Sequence, residues 1–424
     1  MSSHYQQSAI RGRKGSVAVL DIGTSKVVCF IAEPNATGKM HIIGVGHQLA
    51  RGIRSGMITD SAEAEHSIRT AVHLAEETSG HTIENVIVNI SGTKQSSLRV
   101  DVELAIAGEG VTDQDIADIL REGCSHVQER GRSILHCFAV QYALDGASGI
   151  RDPRHMHGDV LGASLHVITA EDARLKNIAG CVARCHLNVV EFIVSSHASA
   201  LGCLEADEMD LGVTVIDMGG WETTVSVFAG GKNIYCDVIP IGGQHITSDI
   251  AKGLSTSMAH AERTKNLHGS VLAAPKDEQA MLDIPQFGEE DESNDVYKIP
   301  KSGLVGIIRP RAEEILDLVR DRLQRSGIAP YAGNNVVITG GCSQLLGLRE
   351  HAAHMLGKQV RIGKPLYIPG LIDSASSPAF SCAVGMLKYI ENRPMEDDLF
   401  DNFRRKKNSS TPAQKFIQWI KENF

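Results

Sequence analysis

Apolar and polar positions along this chain alternate between two periods. SVAVLDIG, from Ser16, is a run of small and branched apolar residues closing in a Gly turn, the pattern of a buried strand. KVVCFIAE and HIIGVGHQLA read as further strands. At Asp60 and Ser61 the period changes: SAEAEHSIRTAVHLAEETSG spaces its apolar residues as a helix does and stops at Gly80. NVIVNISG is strand again, and the stretch from about 85 to 165 mixes strands with one helix, TDQDIADILREGCSHV. LHVITA returns to a buried strand, EDARLKNIAGCVARCHL is helical, and GVTVIDMGGWETTVSVFAGG reads as two strands around a Gly turn. A helix near ITSDIAKGL, an acidic loop (QFGEEDESND) and a long amphipathic helix after RP, AEEILDLVRDRLQRSG, follow. NNVVITGG is then a strand meeting glycines. Alternating strands and helices predict an α/β protein.

From Glu391 the pattern dissolves. ENRPMEDDLFDNFRRKKNSSTP is charged, Ser- and Pro-bearing and aperiodic, as a flexible tether is. The last residues, PAQKFIQWIKENF, regain helical spacing. At 100° per residue Phe416, Ile417, Trp419, Ile420 and Phe424 share an arc of roughly 160°. Lys415, Gln418, Lys421 and Glu422 take the other side, with Asn423 as the one intruder. A Trp with flanking lysines on a polar tether suits a lipid headgroup boundary, so this segment is expected to anchor the chain to anionic membrane.

Composition narrows the class. The 424 residues carry a formal charge of −9, and 42% are hydrophobic. That supplies a large core divided among two or more domains. The negative balance argues against a nucleic-acid binder, since phosphate backbones call for excess Lys and Arg. No apolar run approaches the roughly 20 residues of a spanning helix. MSSHYQQSAIRGRKGS has no apolar signal-peptide core, which predicts a cytosolic chain. The nine cysteines sit mostly in apolar runs and read as small buried thiols. Neither Cys181, Cys185 and His186 nor His155 and His157 has a second ligand pair at zinc spacing.

One internal repeat carries chemistry. SVAVLDIGT (16 to 24) aligns with GVTVIDMGG (212 to 220): a hydrophobic strand, Asp-x-Gly at a tight turn, then another strand. Glycines let backbone N–H groups approach phosphate oxygens, and an Asp at a strand end can hold magnesium, usually through water. Gly23, Thr24, Ser25 and Lys26 are therefore expected to line phosphates from one side, and Gly219 and Gly220 from the other, with Asp21 and Asp217 facing Mg2+. A single Asp-Gly turn is usually just a turn. Two copies half a chain apart imply two halves clamping one ligand. VVITGGCSQLLGL adds Gly340 and Gly341, where a flat base or ribose can come close. Glu262 and Lys265 lie at i and i+3 on one helical face, able to bond a ribose or simply each other.

In order and spacing these loops resemble the actin-like nucleotide-binding superfamily. RGIRSGMITD, GIRDPRHMHGDVLGASLHVITA, IGGQHITSDIAKGL, IIRPRAEEIL and VRIGKPL are more specific, and are similar to the FtsA family of bacterial cell-division proteins over about 16 to 390 and again at the C-terminal helix. The resemblance implies an actin-like two-lobed fold with duplicated core domains, an inserted subdomain in the first lobe, and the C-terminal amphipathic helix on a flexible linker. It divides the chain into a tail (1–15), a first core subdomain (16–84, continued at 165–195), the insertion (85–164), a second core subdomain (196–230) and an outer subdomain (231–305). A return segment (306–390), the linker (391–412) and the terminal helix (413–424) complete it. It further implies ATP as ligand, self-association into filaments, and binding of the FtsZ C-terminal tail through the outer subdomain. Contacts to later division proteins would run through the insertion, and the protein would lie peripherally on the inner face of the cytoplasmic membrane at the septum.

The second loop departs from the family pattern Asp-x-Gly-Gly-Gly-Thr-Thr. Trp221 replaces the third glycine and Glu222 the first threonine. Trp disfavours positive φ and Glu repels phosphate, so grip on this side is expected to be weakened, with Trp221 pointing out of the cleft. VSSHASALG (194 to 202), where a water-positioning residue is expected, has no carboxylate, which predicts slow or absent ATP hydrolysis. Two other readings share the fold. A small-molecule kinase needs a carboxylate base near a substrate cleft and leaves the terminal helix without a role. A pilus-assembly ATP-binding protein usually lacks that tail.

Overall fold

The computed structural model describes residues 15–92, 94–108, 110–127, 129–286 and 297–393. Nearly all of the N-terminal tail, most of the acidic loop, most of the tether and the terminal amphipathic segment lie outside the described residues; Glu391, expected to open the tether, closes the last helix.

In chain order the elements begin with β1 (Val17–Ile22), β2 (Lys26–Pro34), β3 (Met40–Leu49), the short pair β4 (Ile53–Arg54) and β5 (Met57–Ile58), and helix α1 (Ser61–Ser79). Next come β6 (Asn85–Ile90), β7 (Ser96–Ala105), α2 (Asp113–Ser125), β8 (Arg132–Leu144), β9 (Ala147–Ile150) and β10 (Val160–Glu171). The chain continues with α3 (Asp172–Arg184), β11 (Asn188–Val194), α4 (Ser195–Leu201), α5 (Ala206–Leu211), β12 (Val213–Met218), β13 (Thr223–Ala229) and β14 (Lys232–Ile239). The last elements are α6 (Gly243–Gly253), α7 (Met258–His268), β15 (Met281–Ile284), β16 (Tyr297–Pro300), α8 (Lys301–Arg325), β17 (Asn335–Thr339), α9 (Leu348–Leu356), β18 (Gln359–Ile362) and α10 (Ser381–Glu391).

These form two compact units. The first is Ser96–Asp172. Its sheet has the order β7-β10-β8-β9, antiparallel throughout. Helix α2 starts with a capping box between Thr112 and Asp115 and packs Ile116, Ile119, Leu120 and Cys124 into a core shared with Leu165 and Val167.

The second unit holds the described residues up to Gln95 together with Ala173–Glu391. It contains two five-stranded sheets, β11-β6-β1-β2-β3 and β14-β13-β12-β17-β18. In each, three consecutive strands form an antiparallel meander, a later strand pairs parallel with the first of them, and a second later strand pairs parallel with that one. The duplication seen as a short repeat is thus a duplication of whole sheets. β1 is buried along its full length because it lies at the centre, between β6 and β2.

Two expectations shift. Asn85–Ile90 is expected at the start of the insertion, yet it pairs in parallel with β1 and β11, so it belongs to the first core sheet. The long helix expected after Pro310 begins at Lys301 and carries Pro310 inside it. A proline needs room at residue i−4. That residue is Gly306, and Leu304, Val305 and Ile308 are buried before the proline as Ala312 and Ile315 are after it. Core burial on both sides holds the helix through the lost hydrogen bond.

Candidate functional site

The two meanders end in the same hairpin. Gly23 N donates to Lys26 O, and Gly219 N to Glu222 O, both at 3.0 Å. Asp21 pairs in register with Val28, and Asp217 with Thr224, so the two aspartates occupy equivalent positions. Lys26 and Glu222 likewise stand at equivalent places, each following its Asp by five residues.

The hairpins meet. Trp221 N donates to Thr24 Oγ1 at 3.3 Å, and a Cβ on Gly220 would stand 2.2 Å from Ser25 Oγ. A side chain there would have to displace the Ser25 hydroxyl. Gly340 closes a third side: its φ is 85°, and a Cβ would stand 2.2 Å from Asp217 Oδ1. Together these turns bound a cleft of about 590 Å³, a size suited to a small ligand. Asp21, Asp217, Gly219, Gly220 and the Gly23–Lys26 loop line one part of it. Glu262, Lys265, Gly340 and Gly341 line another. The structure brings the expected cleft residues to one cavity; the membrane-facing set at 415–424 lies outside the described residues.

Electrostatics at the hairpins are unusual. Burial pushes the Asp21 carboxyl up to about 6, against the pull of Lys26, and Asp217 opposite adds to the rise. Asp217 is also raised by burial, although Ser199 Oγ donates to it. Burial brings Lys26 down to about 8 despite Asp21 and Asp217; its Nζ sits 3.2 Å from the centroid of Phe380. Asn89 fixes this corner: its Nδ2 donates to Asp21 Oδ1 at 2.7 Å and to Ser195 Oγ at 3.0 Å. A buried carboxylate and a half-buried one repelling one another, with hard oxygen donors, fit Mg2+, which takes one or two carboxylates and completes its shell with water and phosphate. Among the described residues no group of three or more His, Cys, Asp or Glu side chains is gathered to hold a metal alone.

Glu262 and Lys265 do form an ion pair, at 2.8 Å. It is not a solvated surface pair. Lys265 Nζ also donates to Gly243 O (3.1 Å) and Thr247 Oγ1 (2.8 Å), which ties α7 to α6 at the cleft wall. Burial raises the Glu262 carboxyl, but Lys265 and hydrogen bonds from Lys265, Thr247 and Asn266 outweigh it and hold the group below its usual range. The first amides of α6, at Gly243 and Gln244, donate to Gly219 O and Gly220 O at 2.9 and 2.6 Å, so they brace the second loop.

Trp221 sits outside the left-handed region, as its neighbours Gly219 and Gly220 do. It is absent from the non-glycine residues with positive φ, so no backbone strain follows from its bulk. Its ring stands between Arg54, 4.0 Å from the ring centre, and His245, edge-on at 5.3 Å. Glu222, which sequence reasoning treated only as a repulsive neighbour, is 6% exposed and lines the cleft. Its position after a glycine turn gave no sign of burial; its equivalence to Lys26 was the available signal.

Two copies of one sheet topology, each presenting an Asp-Gly hairpin to a common cleft, define an actin-like fold. Solved structures agree. The chain resembles the PilM-PilN type IV pilus biogenesis complex with a TM-score of 0.61 at 15% identity, covering 89% of this chain and 98% of that one. It resembles MreB5 of Spiroplasma citri bound to ADP with a TM-score of 0.53 at 14% identity, covering 92% and 99%. Within that class, a family model for cell division protein FtsA matches residues 214–385, and one for the SHS2 domain inserted in FtsA matches 92–169. The cell division protein FtsA of Agrobacterium fabrum is 42% identical over 427 residues, 97% of this chain and 96% of the relative. The chain belongs to the FtsA family of cell division proteins.

Proposed function

We propose that this protein binds Mg-ATP in the cleft between its two hairpins, assembles into filaments and tethers FtsZ filaments to the membrane during division. The observation that carries the reading is the convergence of Asp21, Asp217 and the two glycine loops on one cavity with the Glu262–Lys265 wall. In this reading Gly23, Thr24, Ser25, Lys26, Gly219 and Gly220 hold phosphates. Gly340, Gly341, Glu262 and Lys265 hold the nucleoside, and Asp21 and Asp217 hold Mg2+ through water. The metal would neutralise phosphate charge, which the acidic cleft otherwise repels.

The partner assignments rest on family membership. The outer part of the second lobe, at 231–305, takes the FtsZ C-terminal tail, and the insertion takes later division proteins and neighbouring protomers. The terminal helix takes anionic lipid, placing the protein peripherally on the cytoplasmic face of the inner membrane at the septum. Among the described residues no helix is long and apolar enough to cross a membrane.

Co-sedimentation of the full chain with anionic vesicles, with and without ATP and FtsZ, tests this. ATP is expected to raise the bound fraction, and FtsZ to sediment only when the protein is present. The Asp21→Ala, Gly341→Asp double variant should lose ATP affinity by calorimetry and with it the ATP-dependent gain. Wild-type affinity in that variant would remove the site assignment.

A further inference from the structure

Glu222 is a buried acid that the nucleotide-holding scheme does not use. Its Oε2 is buried with no hydrogen-bond partner among the described residues, while the Ser91 side chain bonds the carboxyl. An orphaned buried carboxylate oxygen is costly, and in a ligand cleft it is positioned for something the cleft receives. The charged groups facing it are Arg174 and Asp217. Arg174 is already committed to backbone: it donates to Gly56 O at 3.2 Å and to Ser55 O at 2.5 Å. Ser195, within the 194–202 segment where a water-positioning group is expected, is engaged as well, donating to Ile90 O at 3.0 Å and accepting from Asn89. The hairpin symmetry completes the geometry. One loop sends a cation, Lys26, into the cleft, and the equivalent place on the other sends a carboxylate.

We propose that Glu222 is the general base for hydrolysis of a nucleoside triphosphate held in this cleft. The proposal rests on the nucleotide reading above. A water hydrogen-bonded to the Glu222 carboxylate attacks the terminal phosphorus. The new P–O bond forms as the bond to the bridging oxygen breaks, and that electron pair leaves on the diphosphate. The water's proton passes to Glu222 and then to the released phosphate, restoring the carboxylate. Burial, opposed by Ser91 and Arg174, holds the Glu222 carboxyl above its ordinary range, which brings it closer to the pKa a base needs at neutral pH. Turnover therefore does not depend on a carboxylate in the segment at 194–202. The replacement of threonine by Glu222 adds a base where it otherwise only weakens phosphate binding.

The test uses the full chain with Mg2+, comparing wild type, Glu222→Gln and Glu222→Asp. ATP affinity is read by calorimetry, and single-turnover phosphate release is followed across neutral pH. Glu222→Gln is expected to bind ATP at least as tightly as wild type, because it removes a negative charge near the phosphates. Its hydrolysis should fall about 100-fold or more, and the acid-side decline of the wild-type rate should disappear. Glu222→Asp, one methylene short, should retain part of the rate. Wild-type hydrolysis in Glu222→Gln, or a wild type that binds ATP without turning it over, overturns the proposal. So does loss of ATP binding in Glu222→Gln, which would make the residue structural. Failure of the wild type to bind ATP would show up in the calorimetry alone, and would remove the nucleotide reading along with this one.

Discussion

Asp21 shows what the cleft costs the protein. Its carboxyl is raised to about 6 by burial, so between its ordinary value and that value the folded state holds a proton the unfolded state has released. The contribution is intact below pH 4 or so and is lost as pH rises through about 6. A shift of this size corresponds to about 3 kcal/mol at most. The expected outcome is that Asp21→Asn gains stability on wild type by up to about 3 kcal/mol between acid and neutral pH, without Mg-ATP present. Urea melts of the pair across that range measure it, and a pH-independent difference would show that the ion pair with Lys26 has cancelled the burial penalty. Both aspartates were legible in the sequence because each ends a VxVhD strand before a glycine. Glu222 was not, because burial of a residue after a turn depends on what the other hairpin and Ser91 bring to it from far along the chain.

Among elements, the join across the cleft mouth is the part with kinetic consequences. Arg54 comes from the β4–β5 pair beside the first sheet, and His245 from α6 beside the second, and Trp221 stands between them. A ring holding a guanidinium in this way is worth about 0.5–2 kcal/mol. Trp221→Ala is therefore expected to speed release of a fluorescent nucleotide about 2- to 30-fold in a displacement experiment. Arg54→Gln should do the same, and the two together should add little further. Independent, additive effects would mean that the contact is not a latch. The sequence suggested a tryptophan turned out of the cleft but could not name its partner, since Arg54 is far away in the chain. Element boundaries failed for a similar reason. Pro310 reads as a helix start by local propensity, whereas the buried face running from Leu304 to Leu323 decides the matter through tertiary packing. β6 looked like part of an insertion because parallel pairing with β1 leaves no local mark.

At the scale of the whole molecule, the sheet duplication was legible from nine-residue copies of one motif, a hydrophobic strand closing in Asp-x-Gly at a tight turn. The terminal segment must be argued from sequence alone, as it lies outside the described residues. Taken as a helix, its five apolar side chains would each contribute about 1.5–2 kcal/mol on entering a bilayer interface, or about 7–10 in all. Ordering eleven residues costs about 11 kcal/mol at roughly 1 apiece. Backbone hydrogen bonds formed on folding, and about 1 kcal/mol for each Lys or Arg near anionic lipid, tip this near-balance toward binding. Lys415 and Lys421 lie on the segment, and Arg404, Arg405, Lys406 and Lys407 precede it. On the proposed reading, one copy would hold the membrane weakly and reversibly. A filament presenting many copies would hold it firmly, because each further contact is intramolecular. If ATP favours the filament, nucleotide state and membrane attachment become linked without any contact between cleft and tail. Trp419→Glu replaces the interfacial ring at one edge of the apolar arc with a charge, and is expected to release the protein from anionic vesicles with ATP affinity unchanged. High salt should weaken wild-type attachment by screening the lysines, but should not abolish it once ATP is present. A Trp419→Glu protein that still sediments with vesicles as wild type does would place the anchor elsewhere in the chain.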